Sequence, residues 1–494
     1  MRSAVDSRTE QNPVKMQKII LSLLLLINGF SVFSQGNAFH AFLADSSMKY
    51  ASVSFCAADA ATGKIISEYQ PERSLATASI MKLVTSATAL ETLGPDYSFT
   101  TSVGYTGTLS SVSGELHGDI VITGGGDPSL GSPYFNEHYQ DFLETWVNKI
   151  LSAGIKKING RIVTDDSYYD YQPVPPGWTW EDIGNYYGAG VYGLSVFDNT
   201  YEIHLRTGAD SSDIEITSIT PARCVDDYTS MLIAHGSRDE GYVFSAPYNT
   251  YSWYSGSVPV MQNDFILKAS ITDPPLLIAG LLTDKLKASG VTISGEPETL
   301  RMARDSIKGK IYTITTTVSP KLKNIIKVLN HESVNLYAEH LLKELGRHEL
   351  NKGSTECGIK VIRNFIKSAG IDDMGMFITD GSGLSPSNSL NTESMVKLLV
   401  YMKNKGRYYP DYLASLPEAG KEGTLKNYFH EPAFSGRMRA KSGSMTRVRS
   451  YAGYLKTFSG KDVAFCIIVN DFTGSSSHIV SEIEKILEEL IIIN

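Results

Sequence analysis

Three serines stand three residues ahead of a lysine: Ser46 before Lys49, Ser79 before Lys82 and Ser394 before Lys397. The chemistry such a pair could do is definite. A hydroxyl is a poor nucleophile until a base takes its proton, and a lysine removed from water loses enough basicity to serve. Context separates the three pairs. Ser46 and Lys49 lie in a polar stretch before the first apolar run, and Ser394 and Lys397 lie on an ordinary helix pattern with Met395, Val396, Leu398 and Leu399. Ser79 stands where the irregular stretch 73–78 gives way to a helix running to about Leu93, stopped by Gly94-Pro95. A helix N-terminus offers unpaired N–H groups, and i, i+3 spacing puts Ser79 and Lys82 on one face.

Two further motifs raise the weight of that pair. Ser333-Val334-Asn335 interrupts a long helical pattern, so a turn there can aim a hydroxyl and a carboxamide into one cleft. Lys441-Ser442-Gly443-Ser444 sits on a strand-like run, where a glycine admits close approach of another backbone. Lys441 and Ser442 offer a cation and a hydroxyl suited to a carboxylate. Ser389-Leu390-Asn391 repeats the serine–asparagine spacing but in a polar loop, where it reads as a turn. Gly124-Gly125-Gly126-Asp127-Pro128 lacks the Gly-Lys-Ser/Thr of a phosphate loop. The histidines show no paired metal spacing, and Trp178, Trp180, Tyr186 and Tyr187 read better as packing than as a sugar-stacking surface.

These residues need elements to bring them together. Apolar strands at about 50–58 and 64–69 flank a turn at Asp59–Gly63, and strands at 438–441, 450–455 and 463–470 close the chain before a last helix at about 476–490. Strands at both ends with helices between them imply one antiparallel sheet built from both termini. From about 98 to 295 the texture changes to short strands, with two similar helix-then-strand pieces at 142–163 and 277–293, which suggest one unit used twice. The expected organisation is α+β and multidomain: a discontinuous domain of 39–96 plus 306–494, an inserted α/β domain of 97–305, and a nested β subdomain at about 199–264. The length of 494 residues suits roughly three units.

Lys15 and Lys18 precede the apolar run 19–27, and small residues follow near 34, the pattern of a secretory signal over about residues 16–34. The run is too short for a comfortable membrane span. Export to the periplasm is the expectation, with no integral span after signal removal and residues 1–35 apart from the fold. The net charge of -8 and the lack of a dense Lys/Arg run argue against nucleic acid as a partner. Cys56, Cys224, Cys357 and Cys466 lie far apart and match no zinc spacing, and unpaired thiols are the favoured reading.

In order along the chain, SIMK (79–82), SVN (333–335) and KSG (441–443) resemble the S-x-x-K, S-x-N and K-[TS]-G motifs of serine penicillin-binding proteins and β-lactamases. The long insertion between the first two resembles the low-molecular-mass class C D-alanyl-D-alanine carboxypeptidase/endopeptidases, peptidase family S13. GDIVITGGGDPSL (118–130), PGWTW (176–180), YGAG (187–190), DGSGLS (380–385) and RAKSGS (439–444) agree with it, and the likeness runs from about 50 to 470.

The resemblance implies a penicillin-binding, serine β-lactamase-like transpeptidase domain and an acyl-serine mechanism without metal or cofactor. Ser79 would be the nucleophile and Lys82 its base. Ser333 would relay a proton, Asn335 would hydrogen-bond Lys82 and the substrate amide, and Lys441 would supply positive potential. Ser442 would bind the terminal carboxylate, beside Gly443, and the N–H groups of Ser79 and Ser444 would form the oxyanion hole. Asp380 and Ser382 would shape the cleft, and Asp166 of the inserted domain would meet the stem peptide. The implied partners are peptidoglycan stem peptides and, as acylating inhibitors, β-lactams. Two departures from the family's pattern stand out: Ser442 in place of Thr, and Pro386 where Arg often follows DGSGLS. The competing readings are a serine β-lactamase or esterase on the same scaffold, for which Glu181–Asn185 is a poor match to a deacylation loop, and a non-catalytic wall-binding protein.

Overall fold

The computed structural model describes residues 36–303, 307 and 309–493. The expected signal segment at 16–34 lies outside them. Five strands form the central sheet: β1 (Ser52–Asp59), β2 (Ile65–Tyr69), β3 (Met438–Met445), β4 (Val448–Lys456) and β5 (Asp462–Asn470), in the order β2-β1-β5-β4-β3, every pair antiparallel. Both chain termini therefore build it, as the strand positions implied. The sheet is apolar on both faces because helices cover both. Along β5, Val463, Phe465, Ile467 and Val469 pack towards the C-terminal helix Ser476–Ile493, while Ala464, Cys466 and Ile468 face the opposite helical layer. The helix Asn37–Ala44, which the sequence pattern did not signal, joins the first of these layers. Its first N–H groups find a partner in Glu489, whose carboxylate accepts from Asn37 N and Ala38 N at 2.9 Å each.

The opposite layer carries α1 (Met81–Leu93), α2 (Leu322–His331), α3 (Asn335–Leu350) and α4 (Thr392–Lys405). The long helical pattern around Ser333 is thus two helices, broken at Glu332–Val334 where Ser333 takes φ +60°. A residue with a side chain in that left-handed region costs of order 1–3 kcal/mol, which the packed helices on either side must offset.

Between α1 and α2 the chain forms a second body of structure. Its five-stranded sheet runs in the order Glu298–Thr299, Ile162–Asp165, Ile120–Thr123, Thr100–Tyr105, Tyr312–Val318. The two similar helix-then-strand pieces lie side by side in it. Helices Phe142–Ser152 and Pro274–Ala288 each begin on an aspartate cap: Asp141 accepts from Glu144 N at 2.9 Å and Asp273 from Leu276 N at 3.2 Å. The strands after the second helix pair in parallel with those after the first. Six strands between Thr200 and Ser270 make two further three-stranded sheets, with Val243, Tyr254 and Val258 in a shared apolar core. Among the described residues no helix is long and apolar enough to cross a membrane. All four cysteines are free and buried, and Cys56 stands directly opposite Cys466 on adjoining strands.

Candidate active site

Ser79 occupies a single 3-10 turn, Ala78–Ile80, that runs into α1. The turn is pinned from two sides. Ala78 takes φ +46°, and Gly383 comes so close that a Cβ there would stand 2.0 Å from the Ala78 carbonyl. Edge strand β3 presses on the other side: a Cβ on Gly443 would lie 2.7 Å from Thr77 O and 3.0 Å from Ser79 N. Glycine at 443 is therefore a packing requirement, because the strand backbone lies against the turn that carries the hydroxyl. From β4, Ser450 Oγ donates to Thr77 O at 2.6 Å and closes the arrangement.

The three motifs converge here. Lys82 Nζ, fully buried, lies 3.0 Å from Ser79 Oγ, 2.5 Å from Asn335 Oδ1 and 2.8 Å from the Ser382 carbonyl. Asn335 is oriented by its own Nδ2, which donates to Tyr187 O at 2.8 Å and leaves Oδ1 for the lysine. Burial brings the Lys82 ammonium down to about 7, against the opposing pull of Asp380 and Glu339. An uncharged lysine has two N–H bonds and one lone pair. Asn335 Oδ1 and Ser382 O can only accept, so they take both hydrogens. The lone pair is then left for the third neighbour, the Ser79 hydroxyl. The geometry thus sets up a base against a nucleophile.

Lys441, on β3 and also fully buried, places Nζ 3.0 Å from Ser333 Oγ and 2.8 Å from Ser442 O. Burial, helped by Lys82, holds its ammonium well below the ordinary lysine value. Two ammonium groups so close in a dry site cannot both stay charged cheaply, so Lys441 is better placed to exchange a proton with Ser333 than to act as a standing charge.

The sequence profile of the D-Ala-D-Ala carboxypeptidase 3 (S13) family matches residues 36–490. The chain belongs to this family. Membership makes it a serine-type hydrolase of the penicillin-binding group. It is 27% identical to a D-alanyl-D-alanine carboxypeptidase of Actinomadura sp., over 88% of this chain and 80% of that protein. It is 22% identical to D-alanyl-D-alanine carboxypeptidase DacB of Haemophilus influenzae, over 85% of this chain and 86% of that one. The crystal structure of penicillin binding protein 4 from Haemophilus influenzae superposes with a TM-score of 0.78 at 20% identity, covering 92% of this chain and all of that one. That last likeness is one of fold.

Against the S13 pattern, the remaining site candidates fall into two groups. Ser442 and Ser444 line the edge strand, Ser442 Oγ lying 2.7 Å from Thr424 Oγ1 and exposed Ser444 accepting from the Arg449 guanidinium. Asp380, Ser382 and Asp166 are buried instead. Asp380 accepts inside its loop from Gly383 N and Ser385 N at 2.7 Å each and Asn388 Nδ2 at 2.6 Å, and from distant Trp178 Nε1 at 2.9 Å. Ser382 reaches Lys82 through its carbonyl, and its hydroxyl accepts from Leu384 N at 3.3 Å. The Asp166 carboxyl lies beside Arg301, itself bound to Asp273 and stacked 3.8 Å over the Tyr248 ring, and burial raises it to about 6.

Four contributors escaped the sequence reading. The Glu339 carboxylate accepts from Gly381 N at 3.0 Å and Ser382 N at 2.7 Å, fixing the carbonyl that holds Lys82. Burial and the adjacent Asp380 carboxylate raise its own proton affinity. It lies four residues beyond Asn335 on the same helix face, amid Ala338, Leu341 and Leu342, and a carboxylate on an apolar face was a readable signal. Thr424 and Arg449 come from a loop and a neighbouring strand with no motif to mark them, and Tyr187 contributes only its carbonyl. Trp178 is buried as packing, as read, while Trp180 is exposed and stacks on Phe244. Glu181 is exposed and Asn185 is spent on Glu181 O and Val243 N, so that loop presents no deacylating carboxylate.

Proposed function

We propose that this protein cleaves the D-Ala-D-Ala bond of peptidoglycan stem peptides through an acyl-enzyme on Ser79, acting both as a carboxypeptidase and as a DD-endopeptidase in the periplasm. The observation that carries the reading is the Lys82 amine, whose two hydrogens are committed to Asn335 and Ser382 while Ser79 stands 3.0 Å away. Lys82 takes the Ser79 proton as Oγ attacks the penultimate carbonyl carbon. The N–H groups of Ser79 and Ser444 receive the oxyanion, a contribution of about a hundredfold or more in rate per donor.

Collapse breaks the C–N bond. Ser333, bonded to Lys441, relays the proton held by Lys82 to the departing D-alanine nitrogen, which returns Lys82 to its free amine, and Ser442 holds the terminal carboxylate. Water, deprotonated by Lys82, then attacks the ester carbonyl and returns Ser79 as a hydroxyl. A β-lactam presents the same amide in a strained ring and traps Ser79 as an ester. Product analysis on purified crosslinked muropeptides tests the reading. It expects free D-alanine from pentapeptide ends and monomers from crosslinked dimers, both lost in Ser79→Ala. An enzyme that releases neither product contradicts it.

A further inference from the structure

An anionic substrate terminus needs a cation at the cleft surface, and Lys441 is badly placed to be that cation. Its nitrogen is fully buried and engaged by Ser333 Oγ and Ser442 O. Along β3, side chains alternate, so Ser442 and Ser444 share the face opposite Lys441 and Gly443. On that face Ser442 Oγ meets Thr424 Oγ1 at 2.7 Å. Ser444, directly opposite Arg449 in the β3–β4 pairing, accepts from the Arg449 guanidinium. The other contact of Arg449 Nη1 is the Val448 carbonyl at 3.0 Å, and Arg449 meets no carboxylate among the described residues. It is partly exposed.

We infer that Arg449 is the carboxylate receptor of this cleft, binding the free α-carboxylate of the leaving D-alanine, and that of a β-lactam, with Ser442 and Thr424 as neutral donors beside it. The inference rests on the reading of Ser79 as nucleophile and deepens it. A guanidinium fork without a counter-ion, held by one hydroxyl and one carbonyl on a rigid hairpin, is the arrangement that binds a carboxylate with two N–H donors. The spacing fits. Residues two apart on a strand lie about 6.6 Å from each other, roughly the span of a carboxylate and its two flanking hydrogen bonds. Thr424 is held in place by Gly423, where a Cβ would stand 2.3 Å from His331 O at φ +49°, so the loop is seated on the end of α2.

The test compares acylation of the full-length enzyme by benzylpenicillin and by its methyl ester, which differ only in the carboxylate, followed by intact mass. Arg449→Gln is expected to slow the free acid tenfold or more and the ester less than twofold, with Arg449→Lys in between. Arg447→Gln removes an exposed charge two residues away and should leave the acid-to-ester ratio unchanged. Equal slowing of both reagents in Arg449→Gln, slowing of neither, or a matching ratio shift in Arg447→Gln overturns the inference. Failure of the underlying reading gives another signal and takes the inference with it: wild type that takes up neither reagent, or Ser79→Ala that still takes up both.

Discussion

Asn335 Oδ1 lies 2.5 Å from Lys82 Nζ, a contact between residues 253 positions apart in the chain. It is the bond that makes two motifs into one site, since it spends a lysine hydrogen and thereby turns the lone pair towards Ser79. Asn335→Ala removes it together with the bond to Tyr187 O. Acylation by penicillin is expected to fall about a hundredfold, the low end of what a positioned base contributes. Melting temperature should change little by comparison, so that rate and fold separate.

The acylation rate should follow the deprotonation of Lys82. With burial bringing that group to about 7, the rate is expected to rise through neutral pH and level off above it. The same shift affects stability with a definite sign. Between about 7 and the ordinary value of 10.5, the unfolded lysine holds a proton that the folded one lacks, so this group's contribution to stability rises with pH across that window. Lys82→Met should abolish acylation and flatten that rise. Stopped-flow acylation and urea melts at several pH values measure the two effects.

Gly443→Ala places a methyl group 2.2 Å from Ser450 Oγ and 2.7 Å from Thr77 O. The serine can rotate away, but the carbonyl cannot. Strand β3 must then retreat from the nucleophile turn, at a stability cost of about 1–3 kcal/mol, and the Ser444 N–H retreats with it. Slow acylation in a folded protein, by circular dichroism and penicillin labelling, is the expected result. Full activity would show that the strand does not set the oxyanion site.

Glu339→Leu removes the acceptor of both the Gly381 and the Ser382 N–H groups. A buried N–H left without a partner costs about 1–3 kcal/mol. The variant should melt earlier and acylate more slowly, because the Ser382 carbonyl that holds Lys82 loosens. An unchanged melting temperature would contradict this role.

The sequence carried the parts of the site that have both type and spacing. Ser79, Lys82, Ser333, Asn335 and Lys441 could be found because each belongs to a short motif at an element boundary, and the continuous apolar runs of β1 and β5 announced a sheet built from both ends. What escaped was set by three-dimensional neighbourhood. Thr424 matters only because Gly423 seats its loop on α2, and Arg449 only because it pairs across from Ser444 in a hairpin. The surroundings of Asp380 and Asp166 were equally hidden: only the fold shows Asp380 bonded to the backbone of its own loop and Asp166 enclosed beside Arg301.

The central claim is that Ser79 is the acylated group. Peptide mapping of the protein after a single exposure to benzylpenicillin tests it most directly. One penicilloyl adduct on the peptide containing Ser79, absent in Ser79→Ala, is the expected result. An adduct on Ser333 or Ser394, or one that persists in Ser79→Ala, would contradict the account.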